Sequence, residues 1–199
     1  MAGKYLQMTM TESVRSAQQQ YFGRALTITD VPDRDPLGDA EVRFIADRDS
    51  FYLASVSEQG WPYVQHRGGP KGFLKVLDPI TLAFADYRGN RQLLSTGNFH
   101  ANDRVALFLM DYKNRARLKI LGYARVEDIR NNAALADRLV QEDSRNKVER
   151  VITIEVVSYD WNCPKYITPR YSLAEVEEAM APLKSRIAEL EAQLGSVRA

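Results

Sequence analysis

Hydrophobic positions along the chain group into short runs typical of β-strands; the runs at residues 115–128 and 148–160 alternate with polar positions, and the run at residues 80–86 is almost continuously apolar. Runs rich in aliphatic, aromatic and β-branched residues are separated by turn signals such as residues 57–60 and Asp78-Pro79. These runs predict strands at residues 50–57, 61–67, 73–77, 80–86, 104–112, 115–128 and 148–160. Because the connections between them are short, we expect antiparallel neighbours in a closed or nearly closed barrel.

Helical patterns flank and interrupt these strands. Thr9 and Glu12 match a Ser/Thr-x-x-Glu capping box, which predicts a helix that runs to Phe22 and ends at Gly23. Residues 24–39 contain two prolines and several aspartates, which predicts a loop. Further helices are expected at residues 41–47, 91–96 and 132–141.

The last helix carries an apolar seam. Ser172 and Glu175 form a second capping box. Beyond it, apolar residues follow the 4-3-4-3-4 spacing of coiled-coil a and d positions: Val176, Met180, Leu183, Ile187, Leu190 and Leu194. This narrow spacing favours a contact between chains, although an amphipathic helix that packs on its own barrel is the alternative. Pro182 lies inside the helix and is expected to kink or split it near Ala181.

Composition adds limits on size and partners. A chain of 199 residues with 45% hydrophobic content is expected to fold as one domain with appended elements. We divide it into an N-terminal helix and arm at residues 1–40, a barrel domain at 41–170 and an amphipathic helix at 171–199. The net charge of +1 provides no global field that would recruit nucleic acid or a membrane, so neither partner is expected.

Cysteine and histidine are scarce. The single cysteine, Cys163, cannot form an intramolecular disulfide and fits a reducing compartment. The first ten residues lack a signal-peptide pattern and no apolar run is long enough to span a bilayer, so we expect a cytoplasmic protein. Two histidines, His66 and His100, do not make a metal-binding pattern with one cysteine, so no metal is expected.

A glycine-rich basic stretch at residues 65–75 is the clearest candidate for chemistry. It begins at the end of a predicted strand, and a second basic stretch lies at the end of a later strand, at residues 86–92. Glycines allow close backbone approach, and arginine forks and helix starts favour phosphate. Phe73, Phe84 and Tyr87 are near in sequence and offer cover for an aromatic ring. The pattern predicts a phosphate-bearing, ring-containing cofactor, with an ordinary loop as the alternative, since neither nucleotide-binding glycine fingerprint is present.

Several motifs together resemble one known family. They are Gly60-Trp61-Pro62, the run from Gln65-His66-Arg67-Gly68-Gly69-Pro70-Lys71-Gly72-Phe73, then Arg88-Gly89-Asn90-Arg91, and Asn102-Asp103-Arg104 with the apolar strand that follows. As a set they resemble the pyridoxamine 5'-phosphate oxidase-like family of FMN-binding split β-barrels, over about residues 40–170. The resemblance implies an α+β fold that is mainly β, with an antiparallel split β-barrel and a C-terminal helix.

The resemblance also implies a set of FMN-binding residues. Arg67 and Arg91 would contact the phosphate, with Gln92 where a lysine is often found. Arg117 and Lys119 share one face of a strand that runs past the isoalloxazine ring in the family, where a cation would stabilise the anionic reduced flavin. The full set of expected FMN-binding residues is Arg67, Gly68, Lys75, Phe84, Ala85, Asn90, Arg91, Gln92, Arg117 and Lys119.

The activity that the resemblance implies is that of an FMN-dependent oxidoreductase that works as a homodimer on a small molecule. The substrate is unassigned, because Arg67 is followed by Gly-Gly-Pro-Lys-Gly rather than the apolar run ending in lysine of the true oxidase. No catalytic residue is identified: Cys163 is expected to pack as an inert residue, and His66 either is an ordinary barrel residue or lines the flavin of a partner subunit. The alternatives are a non-catalytic flavin-binding or stress-related module and, third, a haem-handling protein with His66 or His100 as ligand.

Overall fold

The computed structural model describes residues 3–29, 31–140, 148–161 and 163–197. Its strands form one antiparallel seven-stranded sheet in the order β2-β1-β5-β6-β7-β4-β3. The strands are β1 (Ser50–Val56), β2 (Pro62–Gly68), β3 (Lys75–Asp78), β4 (Thr81–Tyr87), β5 (Arg104–Asp111), β6 (Ala116–Asp128) and β7 (Val148–Trp161). The predicted strands are confirmed with shifts of one or two residues at most ends.

The sheet curls around a single main core. Phe51 on β1 and Phe84 on β4 are separated by three strands in the sheet, yet their ring centroids lie 5.3 Å apart. Leucine and isoleucine side chains that are at most 1% exposed fill the interior: Leu53, Leu82, Leu107, Leu109, Leu118, Ile120, Ile152 and Ile154. The open sheet and its helices confirm the predicted α+β split barrel with a C-terminal helix.

The near-continuous apolar sequence of β4 has a structural cause. Leu82 and Phe84 point into the main core, and Ala83 and Ala85 point outward into a second cluster with Leu139. Both faces of the strand are therefore covered, which removes the polar alternation of a half-exposed strand. The small alanine side chains leave room for the helix that packs over them.

The helices are α1 (Gly3–Thr9), α2 (Glu12–Phe22), α3 (Asp39–Ala46), α4 (Leu94–Ala101), α5 (Ala133–Leu139) and α6 (Leu173–Val197), with one 3-10 turn at Ile129–Asn131. The predicted helices at residues 41–47 and 132–141 correspond to α3 and α5, although Gln141 lies outside the described residues. None of the helices within the described ranges combines the length and hydrophobicity needed to cross a bilayer.

Two details of the predicted helices are wrong. Thr9 is not a helix N-cap, because it lies at the end of α1 and its hydroxyl donates to the Tyr5 carbonyl at 2.8 Å. Thr11 caps α2 instead, accepting from the Val14 N–H, and Gly23 ends that helix in the left-handed conformation as expected. The helix predicted at residues 91–96 begins later, at Leu94, and continues through Gly97.

The delayed start of α4 follows from its backbone. Arg91 and Leu93 adopt positive φ angles of 62° and 56°, which cannot belong to a right-handed helix. The segment before α4 is therefore an irregular turn. The consequence is that its polar groups surround a small space instead of lying along a helix face.

The two ends of the chain behave differently. Helix α1 packs on β7 of its own barrel, and the Asp35 carboxylate accepts hydrogen bonds from the Lys4 and Tyr5 amides near the start of α1. Helix α6 runs unbroken through Pro182, so the predicted split does not occur. Its expected capping box is present, since Ser172 and Glu175 exchange hydrogen bonds.

Candidate functional site

Arg67 near the end of β2 reaches across the opening of the barrel to β4. Its Nη1 lies 2.6 Å from Oδ1 of Asp86, and Nε of Arg150 lies 2.9 Å from Oδ2 of the same carboxylate. Asp86 and Arg150 are cross-strand partners on β4 and β7. One buried carboxylate therefore holds two arginines, one from each side of the barrel opening.

The irregular turn before α4 closes the space beside these arginines. The Asn90 side-chain oxygen accepts a hydrogen bond from the Gln92 amide at 3.1 Å, which fixes the turn. Ser95 in the first turn of α4 donates to the Gln65 side chain on β2 at 2.7 Å. These contacts join β2, the turn and α4 around one cavity.

We call this cavity the arginine pocket. It has a volume of about 70 Å³ and is lined by β2, β4, the turn at residues 89–93, the start of α4 and Arg150. Leu94, Ser95 and Thr96 all line it. The N–H groups in the first turn of a helix have no intrahelical acceptor, so this end of α4 favours an anion.

The side chains that line the arginine pocket carry a net positive charge. Three arginines line it (Arg67, Arg91 and Arg150), against one carboxylate, Asp86. Nε of Arg67 is buried and has no hydrogen-bond partner within the described residues. A buried donor without a partner is costly, so this corner has unused capacity to bind an acceptor.

Glu149 beside the pocket moderates the charge at its rim. It accepts from Arg88 at 2.9 Å and from Arg150 at 3.1 Å. The hydrogen bond from Arg88, with the smaller contribution of Arg150, lowers the pKa of Glu149 below its ordinary value. Glu149 is therefore a carboxylate near neutral pH, and its ion pairs with Arg88 and Arg150 offset part of the positive charge at the edge of the pocket.

The residues expected to bind a cofactor are distributed over several places. Arg67, Asn90, Arg91 and Gln92 line the arginine pocket. Gly68 is the last residue of β2, and Phe84 and Ala85 are buried in β4 at 1% and 5% exposure. The rings of Phe73 and Phe84 pack with Phe51 in the core, so contacts from Phe84 to a cofactor would come from its backbone.

Lys75 lies apart from the other residues. It lines a separate depression with Lys71, Tyr87 and Arg138, and the structure does not bring it into the arginine pocket. Its strand, β3, is the edge strand that pairs only with β4 in the described sheet. Its role as a contact to FMN stays a prediction.

Arg117 and Lys119 line a second, larger depression on the other side of the sheet. We call this depression the groove. It has a volume of about 680 Å³ and lies over β1, β5 and β6, beside residues 166–168 and Arg170. Nζ of Lys119 lies 2.8 Å from Oδ2 of Asp160 and 4.6 Å from the Tyr5 ring centroid. Leu118 and Ile120, between and beside these cations, are fully buried, which confirms the predicted alternation.

The two basic stretches predicted from the sequence contain Gln65 and Asp86 but gave neither of them a role, and Arg150 and Ser95 lie outside those stretches. The signal for Asp86 and Arg150 was weak, because only the β4–β7 register places them side by side. Gln65 shares with Arg67 the face of β2 set by two-residue alternation, which was available from the sequence. Ser95 became visible only when α4 was found to start at Leu94.

Other candidate residues do not form a site. His66 is exposed and packs edge-on against Tyr52, with ring centroids 5.6 Å apart. Cys163 is exposed. No group of three or more potential metal ligands occurs among the described residues.

One family model and a solved structure of similar fold match this chain. No curated protein matches the sequence. The crystal structure of HupZ from Group A Streptococcus is similar with a TM-score of 0.50 and 12% identity, covering 68% of this chain and 100% of that chain. An F420 reductase matches with a TM-score of 0.45 and 20% identity, covering 63% of this chain and 98% of that chain. An FMN-binding protein from Syntrophomonas wolfei matches with a TM-score of 0.43 and 12% identity, covering 60% of this chain and 81% of that chain.

Among family models, the one described as pyridoxamine 5'-phosphate oxidase matches residues 37–159. The match spans more than half of the chain and includes every strand of the sheet, apart from the last two residues of β7. It also includes all residues that line the arginine pocket. This chain belongs to the pyridoxamine 5'-phosphate oxidase family, whose members are flavin-associated and oxidoreductase-like.

Proposed function

We propose that the protein is an FMN-dependent oxidoreductase that acts as a homodimer on a small molecule. The observation that carries this proposal is the arginine pocket, where three arginines face one carboxylate. Membership of a flavin-binding family makes FMN the natural phosphate-bearing ligand. The proposal leaves the substrate open, because the described residues include no recognisable catalytic pair.

The chemistry of the pocket fits a phosphate group. Guanidinium groups bind phosphate oxygens through charge-assisted hydrogen bonds, and Arg67 retains a buried Nε without a partner among the described residues. Arg150 approaches from β7, and Ser95 contributes its backbone N–H in the first turn of α4, because its hydroxyl already donates to Gln65. Asn90, Arg91 and Gln92 would complete the binding set from the turn.

The size of the pocket limits what it holds. Its volume of about 70 Å³ is far below the several hundred cubic ångströms typical of a whole cofactor site. Only the phosphoryl end of FMN would therefore lie in it, and the ring would extend to neighbouring surfaces. When bound, FMN supplies the hydride and electron transfer, while this chain supplies binding and orientation.

The groove supports the proposed homodimer. Tyr52 and Val64 are 41% and 60% exposed there, and Phe108 and Met110 add further apolar surface. A large apolar patch with a polar rim is typical of a protein interface. In a dimer formed through this face, Arg117 and Lys119 would lie where a flavin ring meets the second subunit, and the charge of Arg117 would favour its anionic reduced form, whereas Asp160 offsets that of Lys119.

The first experiment identifies the ligand and tests the pocket. An absorption spectrum of the purified protein and mass identification of the released ligand should show FMN. Arg67→Ala and Arg150→Ala should each weaken FMN binding by about 2 kcal/mol, roughly 30-fold in Kd, the scale of a charged hydrogen bond. Each variant leaves Asp86 paired with the other arginine, so both should fold, which circular dichroism would check.

The matched control is Arg24→Ala, which removes an exposed arginine of the loop between α2 and α3 and should leave FMN affinity unchanged. Equal affinity in all three variants would reject the arginine pocket as the phosphate site. Consumption of NAD(P)H or another electron donor then tests turnover. Bound FMN without turnover of any donor would favour a non-catalytic flavin-binding module.

A further inference from the structure

Helix α6 presents a continuous apolar stripe that its own barrel does not cover. Its 25 residues run from Leu173 to Val197. Seven apolar side chains at alternating spacings of three and four residues are between 41% and 74% exposed: Leu173, Val176, Met180, Leu183, Ile187, Leu190 and Leu194. A stripe of this length costs free energy in water unless another surface covers it.

We propose that α6 pairs with α6 of a second copy of this chain as a parallel, in-register, two-stranded coiled coil. In heptad notation Met180, Ile187 and Leu194 occupy a positions and Val176, Leu183 and Leu190 occupy d positions, so the central heptad has isoleucine at a and leucine at d. A β-branched residue at a with leucine at d favours two parallel strands. Pro182 falls at a c position, so its ring lies outside the seam, and the helix continues through it.

Charges beside the seam also fit a parallel pair. Arg186 is at a g position and Glu191 at the e position of the next heptad, and a parallel in-register pair places these opposite each other across the interface. In the single chain Arg186 contacts Glu189 of its own helix at 2.8 Å and remains 61% exposed. The remaining g residue of the central heptads, Ala179, is neutral, so no like charges oppose each other.

The start of α6 is placed where a second copy can reach it. The helix follows directly after residues 166–168 and Arg170, which line the groove proposed above as a subunit interface. Glu175 anchors the first turn to the body through Lys113 at 3.2 Å. Two helices that begin beside the same interface can run together along a two-fold axis. The inference concerns α6 alone and holds whether or not the protein binds FMN.

Disulfide trapping in the full chain tests the pairing. In a Cys163→Ser background, Val176→Cys and Leu190→Cys each place one thiol in the seam, two heptads apart. Parallel in-register pairing should convert both variants to a species of twice the chain mass on a non-reducing gel, because both d positions meet their own copies. Ser185→Cys, at an outward f position, is the matched control and should stay at the single-chain mass.

The outcomes separate the alternatives. An antiparallel pair can bring at most one position opposite itself, so linkage at only one of the two seam positions overturns the parallel arrangement. No linkage at either position, with unchanged flavin content, means that α6 is unpaired or covered by the body or another protein, and it overturns the inference without affecting the proposed function. Equal linkage of the Ser185→Cys control would show random collision and would overturn it too.

Discussion

The two faces of β2 differ in almost every physical respect. Residues 63, 65 and 67 face the arginine pocket, which is small and lined by charged side chains. Val64, between them, faces the groove, which is about ten times larger and rich in aromatic and apolar side chains. A single strand thus separates an arginine-lined pocket from a largely apolar surface.

The two surfaces differ in how far contacts within a single chain satisfy their side chains. The arginine pocket is organised by hydrogen bonds within the chain, since Asp86 positions both Arg67 and Arg150. The groove leaves large side chains exposed, with Val64 at 60%. The small pocket is held in place by ion pairs within the chain, whereas the large groove leaves apolar side chains exposed among the described residues.

The largest expected effect comes from Asp86→Asn, which removes the charge that organises the pocket. Asp86 is 7% exposed at the side chain, and its arginine partners are 14% and 18% exposed. Loss of one partner from a buried ion pair typically costs about 3 kcal/mol or more. We expect a loss of that size in the free energy of unfolding, measured by urea denaturation without ligand.

The same variant should bind anions more tightly, because the lining then has no carboxylate to oppose its arginines. Added FMN or phosphate should therefore raise the Tm of Asp86→Asn by more than it raises that of the unmodified protein. Asp33→Asn, at an exposed loop residue, is the control and should change neither quantity. A stable Asp86→Asn variant with unchanged anion response would contradict the proposed role of Asp86.

The second prediction concerns the opposite face of the strand. Val64→Lys places a charge in the groove, where the single chain tolerates it because the side chain is exposed. If the groove is the subunit interface, the charge must be buried without a partner, and the dimer dissociation constant should rise at least about tenfold. Sedimentation equilibrium would measure it, with Val42→Lys on α3 as the exposed control. Equal dissociation constants would remove the groove from the interface.

The sequence predicted the barrel well because strand alternation and short turns are local signals. Arg67 and the turn at residues 89–92 line the same pocket, and they are close in sequence because only the short strand β3 separates β2 from β4. Arg150 was not predicted, because its contact with Asp86 depends on a pairing between residues 64 positions apart. Long-range register is a property of the folded sheet and has no local pattern.

The segment before α4 shows a second limit of prediction from sequence, which is the local backbone conformation. Residues 91–96 were predicted to be helical from the preceding Gly-Asn turn, yet Arg91 and Leu93 take left-handed backbone angles. Non-glycine residues adopt these angles rarely, so propensity gives no warning of them. The surrounding contacts, such as Asn90 to the Gln92 amide, impose the conformation and place the first turn of α4 at the pocket.

The smallest expected effect is the pH dependence contributed by Glu149 at the pocket rim. Its hydrogen bond from Arg88 lowers its pKa in the folded protein below the ordinary value of 4.5. Its contribution to stability is therefore complete above about pH 4.5 and is lost as the pH falls through the lower folded pKa. The unfolding free energies of the unmodified protein and Glu149→Gln should differ by a constant amount from about pH 7 to pH 5, and should converge below that range. Urea denaturation across this range, with Glu12→Gln on exposed α2 as control, would measure the difference, and a gap that persists at low pH would assign the effect to packing rather than to charge.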